Sequence, residues 1–229
     1  MNVIHWAGDS TVQTNNHKTY PQTGIGQEMA RYLKRDIVVA NHARNGRSTK
    51  SFLDEGRFDV IEEQIAPGDF LFIQFGHNDE KKEDPSRYTD PDGAYRDNLK
   101  FMADAALKKG AYPVLITPLE RRKFTDGKLT TKAHEPYVMA MKKLAEDEGI
   151  PLVDLNAMSR KALEQAGPEG SLKWYMHIPA GVYEAYPDGK EDDTHLQHAG
   201  AYFYAGLVAE GLKKLGCRYA ALLADDEEI

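Results

Sequence analysis

The chain has 229 residues, 41% of them hydrophobic and 28% charged, with a formal net charge of −7. That length and balance fit a single folded domain over 1–229 with a sizeable core, and they exclude an intrinsically disordered chain. The acidic balance argues against general nucleic-acid or anionic-membrane binding, and a single cysteine, Cys217, excludes an internal disulfide. No basic segment followed by an apolar stretch opens the sequence, and no apolar run approaches membrane-spanning length, so the expected compartment is the cytoplasm.

The apolar run 3–7 reads as a buried strand, stopped by the tight turn Gly8-Asp9-Ser10-Thr11. Further strands are expected at 37–41 and 70–75. Tyr95, Leu99, Met102 and Ala106 then share one helical face, and Gly110 closes that helix before a strand at 113–117. Tyr137, Val138, Met141, Leu144 and Ala145 mark a second helix, closed by Gly149 before a strand at 150–155. A last helix is expected over 199–215, with Phe203, Leu207, Val208 and Leu212 inward. Runs rich in Val, Ile, Leu and Phe without strict alternation suit parallel strands covered on both faces. The predicted architecture is a three-layer α/β/α sandwich around a parallel five-stranded sheet. Three connections, 80–93, 119–135 and 167–193, are longer than such a unit needs and would rim the crevice at the strand ends. The acidic end Asp225-Asp226-Glu227-Glu228 reads as a solvated terminus.

Ser10 lies just past the first strand, where an open α/β sheet binds its ligands. It is suited to cap a helix, or to act as a nucleophile if a base and oxyanion donors stand nearby. Candidates for those partners sit at other strand ends. Asn41-His42-Ala43-Arg44-Asn45-Gly46-Arg47-Ser48 follows the second strand, and its Gly46 either permits a turn or presents a backbone N–H. Gln74-Phe75-Gly76-His77-Asn78-Asp79 follows the third, and Asn78 either shapes a turn or donates its amide. Asp192-Asp193-Thr194-His195 precedes the last helix. An Asp three residues before a His can fold back to orient the imidazole, or the two can be a cap and a surface histidine. His195 and His198 could share a helical face as metal ligands. The chain's histidines nevertheless form no HExxH and no Cys/His cluster with zinc spacing, so neither a metal nor an organic cofactor is expected.

Taken together, the blocks run Ser, Gly, Asn, Asp, His, and in that order they resemble the SGNH (GDSL-like) hydrolase family over nearly the whole chain. The resemblance implies a flavodoxin-like sandwich with Ser10 as nucleophile, His195 as base and Asp192 as its orienting acid. Asp192 is preferred to its neighbour Asp193 because the family motif leaves two residues before the histidine. The N–H groups of Ser10 and Gly46 and the Asn78 amide would form the oxyanion hole. The sequences Gly-Asp-Ser-Thr, Gly-His-Asn-Asp and Asp-Thr-His are most similar to the rhamnogalacturonan acetylesterase branch, which removes acetyl groups from pectin-derived sugars. One departure is Gly24-Ile25-Gly26, where many of those relatives carry tryptophan between the glycines. The α/β-hydrolase alternative is disfavoured because no G-x-S-x-G elbow occurs.

Arg44, Arg47 and Lys50 cluster after the second strand, and Arg121, Arg122 and Lys123 after the fourth. They offer a cationic rim suited to uronate carboxylates, or simply solvated loop charge. His77 and Asp79 are further candidates for substrate contact or support. Trp174, Tyr175, Tyr183 and Tyr186 would stack on sugar rings or anchor their loop. The expected reaction is deacetylation of short acetylated pectic oligosaccharides, with no nucleic-acid or membrane partner. Alternatives are another SGNH esterase, lysophospholipase or thioesterase, and a non-catalytic carbohydrate-binding protein on the same fold.

Overall fold

The computed structural model describes residues 2–130 and 134–225. The acidic end beyond Asp225, and 131–133 near the close of the 119–135 connection, lie outside the described residues. The strands are β1 (Val3–Gly8), β2 (Val38–Asn41), β3 (Phe70–Gln74), β4 (Tyr112–Ile116), the short pair β5 (Phe124–Thr125) and β6 (Lys128–Leu129), and β7 (Leu152–Val153). Five of them form a parallel sheet in the order β2-β1-β3-β4-β7, while β5 and β6 make a separate antiparallel hairpin. In register, Ile4 lies between Val39 and Phe70, and Trp6 between Asn41 and Phe72. This order reverses direction between β1 and β3, so the loops leaving those two strands part and open a crevice at their C-terminal ends.

The helices are α1 (Ile25–Glu28), α2 (Thr49–Asp54), α3 (Arg57–Gln64), α4 (Ala94–Lys108), α5 (Glu135–Glu148), α6 (Leu155–Ser171), α7 (His198–Leu215) and α8 (Cys217–Ala220). Successive strand side chains point to opposite faces, so a strand apolar at every position feeds two cores. Ile4, Trp6, Phe70, Phe72, Val114 and Ile116 pack with Ile25 of α1, Leu163 of α6 and Tyr204, Val208 and Leu212 of α7. Ala7, Leu71, Ile73 and Leu115 face the other way, onto Phe52 of α2, Ile61 of α3, Leu99 of α4 and Met141 of α5. The stripes predicted for α4 and α5 are buried, and Gly149 ends α5 with φ 65°. Among the described residues, no helix is long and apolar enough to cross a membrane.

Two expectations about the chain's last third are corrected. Tyr204, Val208 and Leu212 form the buried face of α7, whereas Phe203 and Leu207 pack at the core's margin. Close approach on this helix is set by glycine: a Cβ on Gly211 would come within 2.4 Å of Val153 Cγ1 in the sheet, and one on Gly200 within 2.0 Å of the Trp174 carbonyl oxygen in the turn after α6. The 167–193 connection also begins in helix, because α6 resumes after a break at Gly167 and continues to Ser171. Helices α2, α3 and α6 carry no periodic stripe clear enough to have been predicted.

Candidate active site

β1 ends at Gly8, and the chain turns at once: the Asp9 carbonyl accepts from Val12 N and Gln13 N. The Asp9 carboxylate faces inward and takes the Thr11 N–H and hydroxyl at 2.9 and 2.8 Å. Burial pushes its pKa up, against the Thr11 bonds and the nearby His134 and His195. The start of α1 clamps the same turn from below, with Ile25 N on the Thr11 carbonyl and Gly26 N on the Val12 carbonyl. Here the glycines on either side of Ile25 are required. A Cβ on Gly24 would fall 2.2 Å from the Gln13 carbonyl oxygen, and one on Gly26 2.6 Å from Asn41 Nδ2. Ser10 is thereby held at the crevice with little backbone freedom.

The segment that meets it comes from 185 positions away. His195 Nε2 lies 3.0 Å from Ser10 Oγ. Its Nδ1 lies 2.7 Å from Asp192 Oδ2, while Asp192 Oδ1 accepts the N–H groups of Thr194 and His195, each at 2.9 Å. Burial alone would raise the Asp192 pKa, but the His195 and backbone hydrogen bonds outweigh it and hold the carboxyl well below the usual range. Lys190 Nζ adds an ion pair at 3.2 Å. The loop is pinned on both sides, by Met176 N on the His195 carbonyl and by Thr23 N on the Leu196 carbonyl. Asp193 points elsewhere: its Oδ1 takes Arg122 Nη1 at 2.8 Å and His177 Nε2 at 2.7 Å. His198 pairs with Glu28 at 3.1 Å.

Two more loops reach the crevice. After β2, Arg44 N donates to the Gly8 carbonyl, and Gly46 turns the chain with φ 76°, a left-handed conformation that favours glycine. Ser48 then caps α2, each of Ser48 and Ser51 accepting from the other's N–H. After β3, Gly76 passes so close to Pro118 that a Cβ would fall 2.8 Å from its Cγ. Asn78 follows, its Nδ2 donating to the Arg47 carbonyl at 3.0 Å and its Oδ1 accepting from Arg87 Nη1 at 3.2 Å. Beside Gly46 a pocket of about 400 Å³ opens to solvent, walled by Arg47, Asp54, Glu55, Ser86 and Arg87.

The residues expected at the rim divide. Asp79 is fully buried; its Oδ1 takes the Thr49 N–H, the Thr49 hydroxyl and the Thr89 hydroxyl, and burial pushes its pKa up to about 7. Such a group ties together the loops that carry Thr49 and Thr89. His77 is also buried, its ring 4.1 Å centre to centre from His134, and burial holds it neutral, helped by its basic neighbours His134 and Arg121. Arg47 is spent on Glu55 and the Asn45 carbonyl, and Arg121 on Glu80 at 2.9 Å. Arg122 ties together Asp193, Ser171 and the Pro168 carbonyl. Arg44 is exposed. Tyr175 is a core anchor bonded to the Glu120 carbonyl and Tyr204, and Trp174 stacks on Phe203. Tyr183 and Tyr186 remain half-buried beside Tyr20 and Thr19. Sequence reasoning missed Lys190, His134 and Arg87, whose partners are remote or in irregular loops with no motif to mark them.

The GDSL-like lipase/acylhydrolase family matches residues 7–202. The chain belongs to that family. Among members with assigned activities, it is 40% identical to the rhamnogalacturonan acetylesterase RhgT of Bacillus subtilis, over 93% of this chain and 90% of that protein. It is likewise 40% identical to the probable rhamnogalacturonan acetylesterase YesY of the same organism, over 94% of each. Among solved structures, the YxiM protein of Bacillus subtilis superposes with a TM-score of 0.78 at 28% identity, covering 94% of this chain and 57% of that one. Axe2, an acetylxylan esterase of Geobacillus stearothermophilus, shares the fold at a TM-score of 0.65 and 14% identity, over 95% of each chain.

Proposed function

We propose that this family member is a rhamnogalacturonan acetylesterase, a single catalytic domain that removes acetyl groups from pectin-derived saccharides through Ser10, His195 and Asp192. The observation that carries the reading is the unbroken line from Ser10 Oγ through His195 to Asp192, with contacts of 3.0 and 2.7 Å. In that line His195 takes the hydroxyl proton as Oγ attacks the acetyl carbonyl, and Asp192 holds the ring with its proton on Nδ1. The negative charge that develops on the carbonyl oxygen is met by the Ser10 and Gly46 N–H groups and the Asn78 amide. His195 then returns the proton to the departing sugar hydroxyl. The acetyl-enzyme is opened by water through the same base, which releases acetate and restores Ser10.

The substrate class is supported by the 40% identity to RhgT over nearly the full length of both chains, and by the polar walls beside Gly46. A long-chain lipase needs a broad apolar cleft at its nucleophile. The apolar groove bounded by Tyr32, Tyr202 and Leu207 includes none of the residues around Ser10. The test is acetate release from acetylated rhamnogalacturonan oligosaccharides by wild type and by Ser10→Ala. Release that vanishes in the variant supports the reading. Hydrolysis of simple aryl acetates with none from the pectic oligosaccharide would keep the mechanism and discard the substrate.

A further inference from the structure

Arg87 lies in the irregular connection between β3 and α4, and Asp84 shapes its surroundings. Asp84 Oδ1 accepts the Ser86 N–H, the Asp84 carbonyl accepts the Arg87 N–H, and Asp84 Oδ2 takes Arg87 Nε at 2.6 Å. Lys50 Nζ on the Pro85 carbonyl ties this turn to α2. The guanidinium is therefore held with Nη1 directed at Asn78 Oδ1, 3.2 Å away. The other end of the same side chain is held as firmly, with Nδ2 on the Arg47 carbonyl. A guanidinium has only donors and a carbonyl only acceptors, so the two contacts specify one orientation of a nearly symmetric amide. Flipping the amide would set an NH₂ against the guanidinium and an oxygen against the carbonyl. One amide proton is used by the Arg47 carbonyl, and the second is left for an incoming oxyanion.

We propose that Arg87 is a positioning residue for the oxyanion hole, acting through Asn78. The argument rests on the reading of Asn78 as a hole donor. A cation on the amide oxygen draws electron density from the nitrogen and makes the remaining N–H a stronger donor. Nη1 also lies 3.8 Å from where a Cβ on Gly46 would stand, so the guanidinium sits beside both loops that carry the proposed donors. Donors fixed before the reaction begins need no reorganisation as charge develops, which is where such sites derive most of their effect.

The experiment compares kcat and KM for 4-nitrophenyl acetate in wild type, Arg87→Ala, Arg87→Lys, Asn78→Ala and the double variant Arg87→Ala/Asn78→Ala, with melting curves for each. Arg87→Ala is expected to lower kcat by roughly tenfold to thirtyfold with KM little changed, a fraction of what losing a donor costs. Arg87→Lys should fall between it and wild type, and added methylguanidinium should restore part of the Arg87→Ala rate. In the double variant, kcat should fall no further than in Asn78→Ala alone, and methylguanidinium should have no effect. An Arg87→Ala kcat within twofold of wild type, or additive losses in the double variant, overturns the proposal. So does a raised KM with kcat intact, which would mean direct contact with substrate. If Asn78→Ala itself leaves kcat unchanged, the hole assignment fails and the role of Arg87 with it.

Discussion

Replacing Asp192 by Asn tests the charge line at its most sensitive point. Oδ2 accepts the His195 Nδ1 proton at 2.7 Å, while Oδ1 accepts two backbone N–H groups at 2.9 Å. An asparagine can satisfy one set or the other. If its oxygen keeps the two backbone donors, its NH₂ faces Nδ1 and Lys190, and the imidazole must accept there and carry its proton on Nε2. That proton then points at Ser10 Oγ, 3.0 Å away, and the ring has no lone pair to act as base. If the amide turns over, the ring regains its tautomer, but an NH₂ is set against the Thr194 and His195 N–H groups. The second arrangement loses two hydrogen bonds and sets a donor against two backbone N–H groups that cannot turn away, whereas in the first the flexible Lys190 side chain can swing clear of the NH₂, so the first prevails. The wrong tautomer in a protease triad lowers kcat by about 10⁴, or about 5 kcal/mol of barrier. The expected result here is a kcat loss of the same order in steady-state hydrolysis of 4-nitrophenyl acetate, without loss of the folded state by near-UV circular dichroism. A loss under tenfold would refute the argument that Asp192 sets the tautomer.

Asp193→Asn should behave in the opposite way, because its carboxylate serves Arg122 and His177: kcat within about threefold of wild type and a stability loss of about 1 kcal/mol by urea unfolding. A collapse in kcat would return Asp193 to the acid role. Gly46→Ala places an L residue at φ 76°, where Arg87 leaves ordinary room and the backbone alone supplies the strain. A cost of about 1–2 kcal/mol, and so a Tm lower by roughly 2–8 °C, should accompany a fall in kcat, and an unchanged Tm would contradict the strain. Asp79 is raised from 3.8 to about 7, so the folded chain takes up a proton there that the unfolded chain does not. This contribution to stability is present below pH 3.8 and lost as pH rises through about 7, by at most about 4 kcal/mol. Asp79→Asn cannot titrate. Its urea-unfolding free energy should change less than that of wild type between pH 5 and pH 8, and parallel changes would exclude the effect.

Much of the sheet could be read from sequence because parallel strands buried on both faces are continuous apolar runs, and α4 and α5 because one face of each is apolar at regular spacing. On α7, Val208 and Leu212 are inward as expected, but apolar bulk also favours Phe203 and Leu207, whereas close packing is decided by where side chains are missing, at Gly200 and Gly211. Ser10, Gly46, Asn78, Asp192 and His195 could be singled out because each follows a strand end or precedes the last helix, and it is the resemblance of the blocks, in their order, to the SGNH family that implies their roles. The direction of Asp79 could not be read, since a carboxylate beside a turn asparagine is equally able to face solvent or Thr49 and Thr89. Arg87 was out of reach for a different reason. Its bond to Asn78 depends on how an aperiodic loop folds back over nine positions.

The separation of 185 positions between Ser10 and His195 gives the protein a built-in order of assembly. Of the three proposed catalytic residues a growing chain makes the serine first and the imidazole last, so on the proposed mechanism a chain that stops short of His195 is inert however well its sheet has formed. The same separation means that the base and the nucleophile are joined only through packing: a shift of the loop that carries His195 takes the base from the nucleophile while β1 stays paired on both sides.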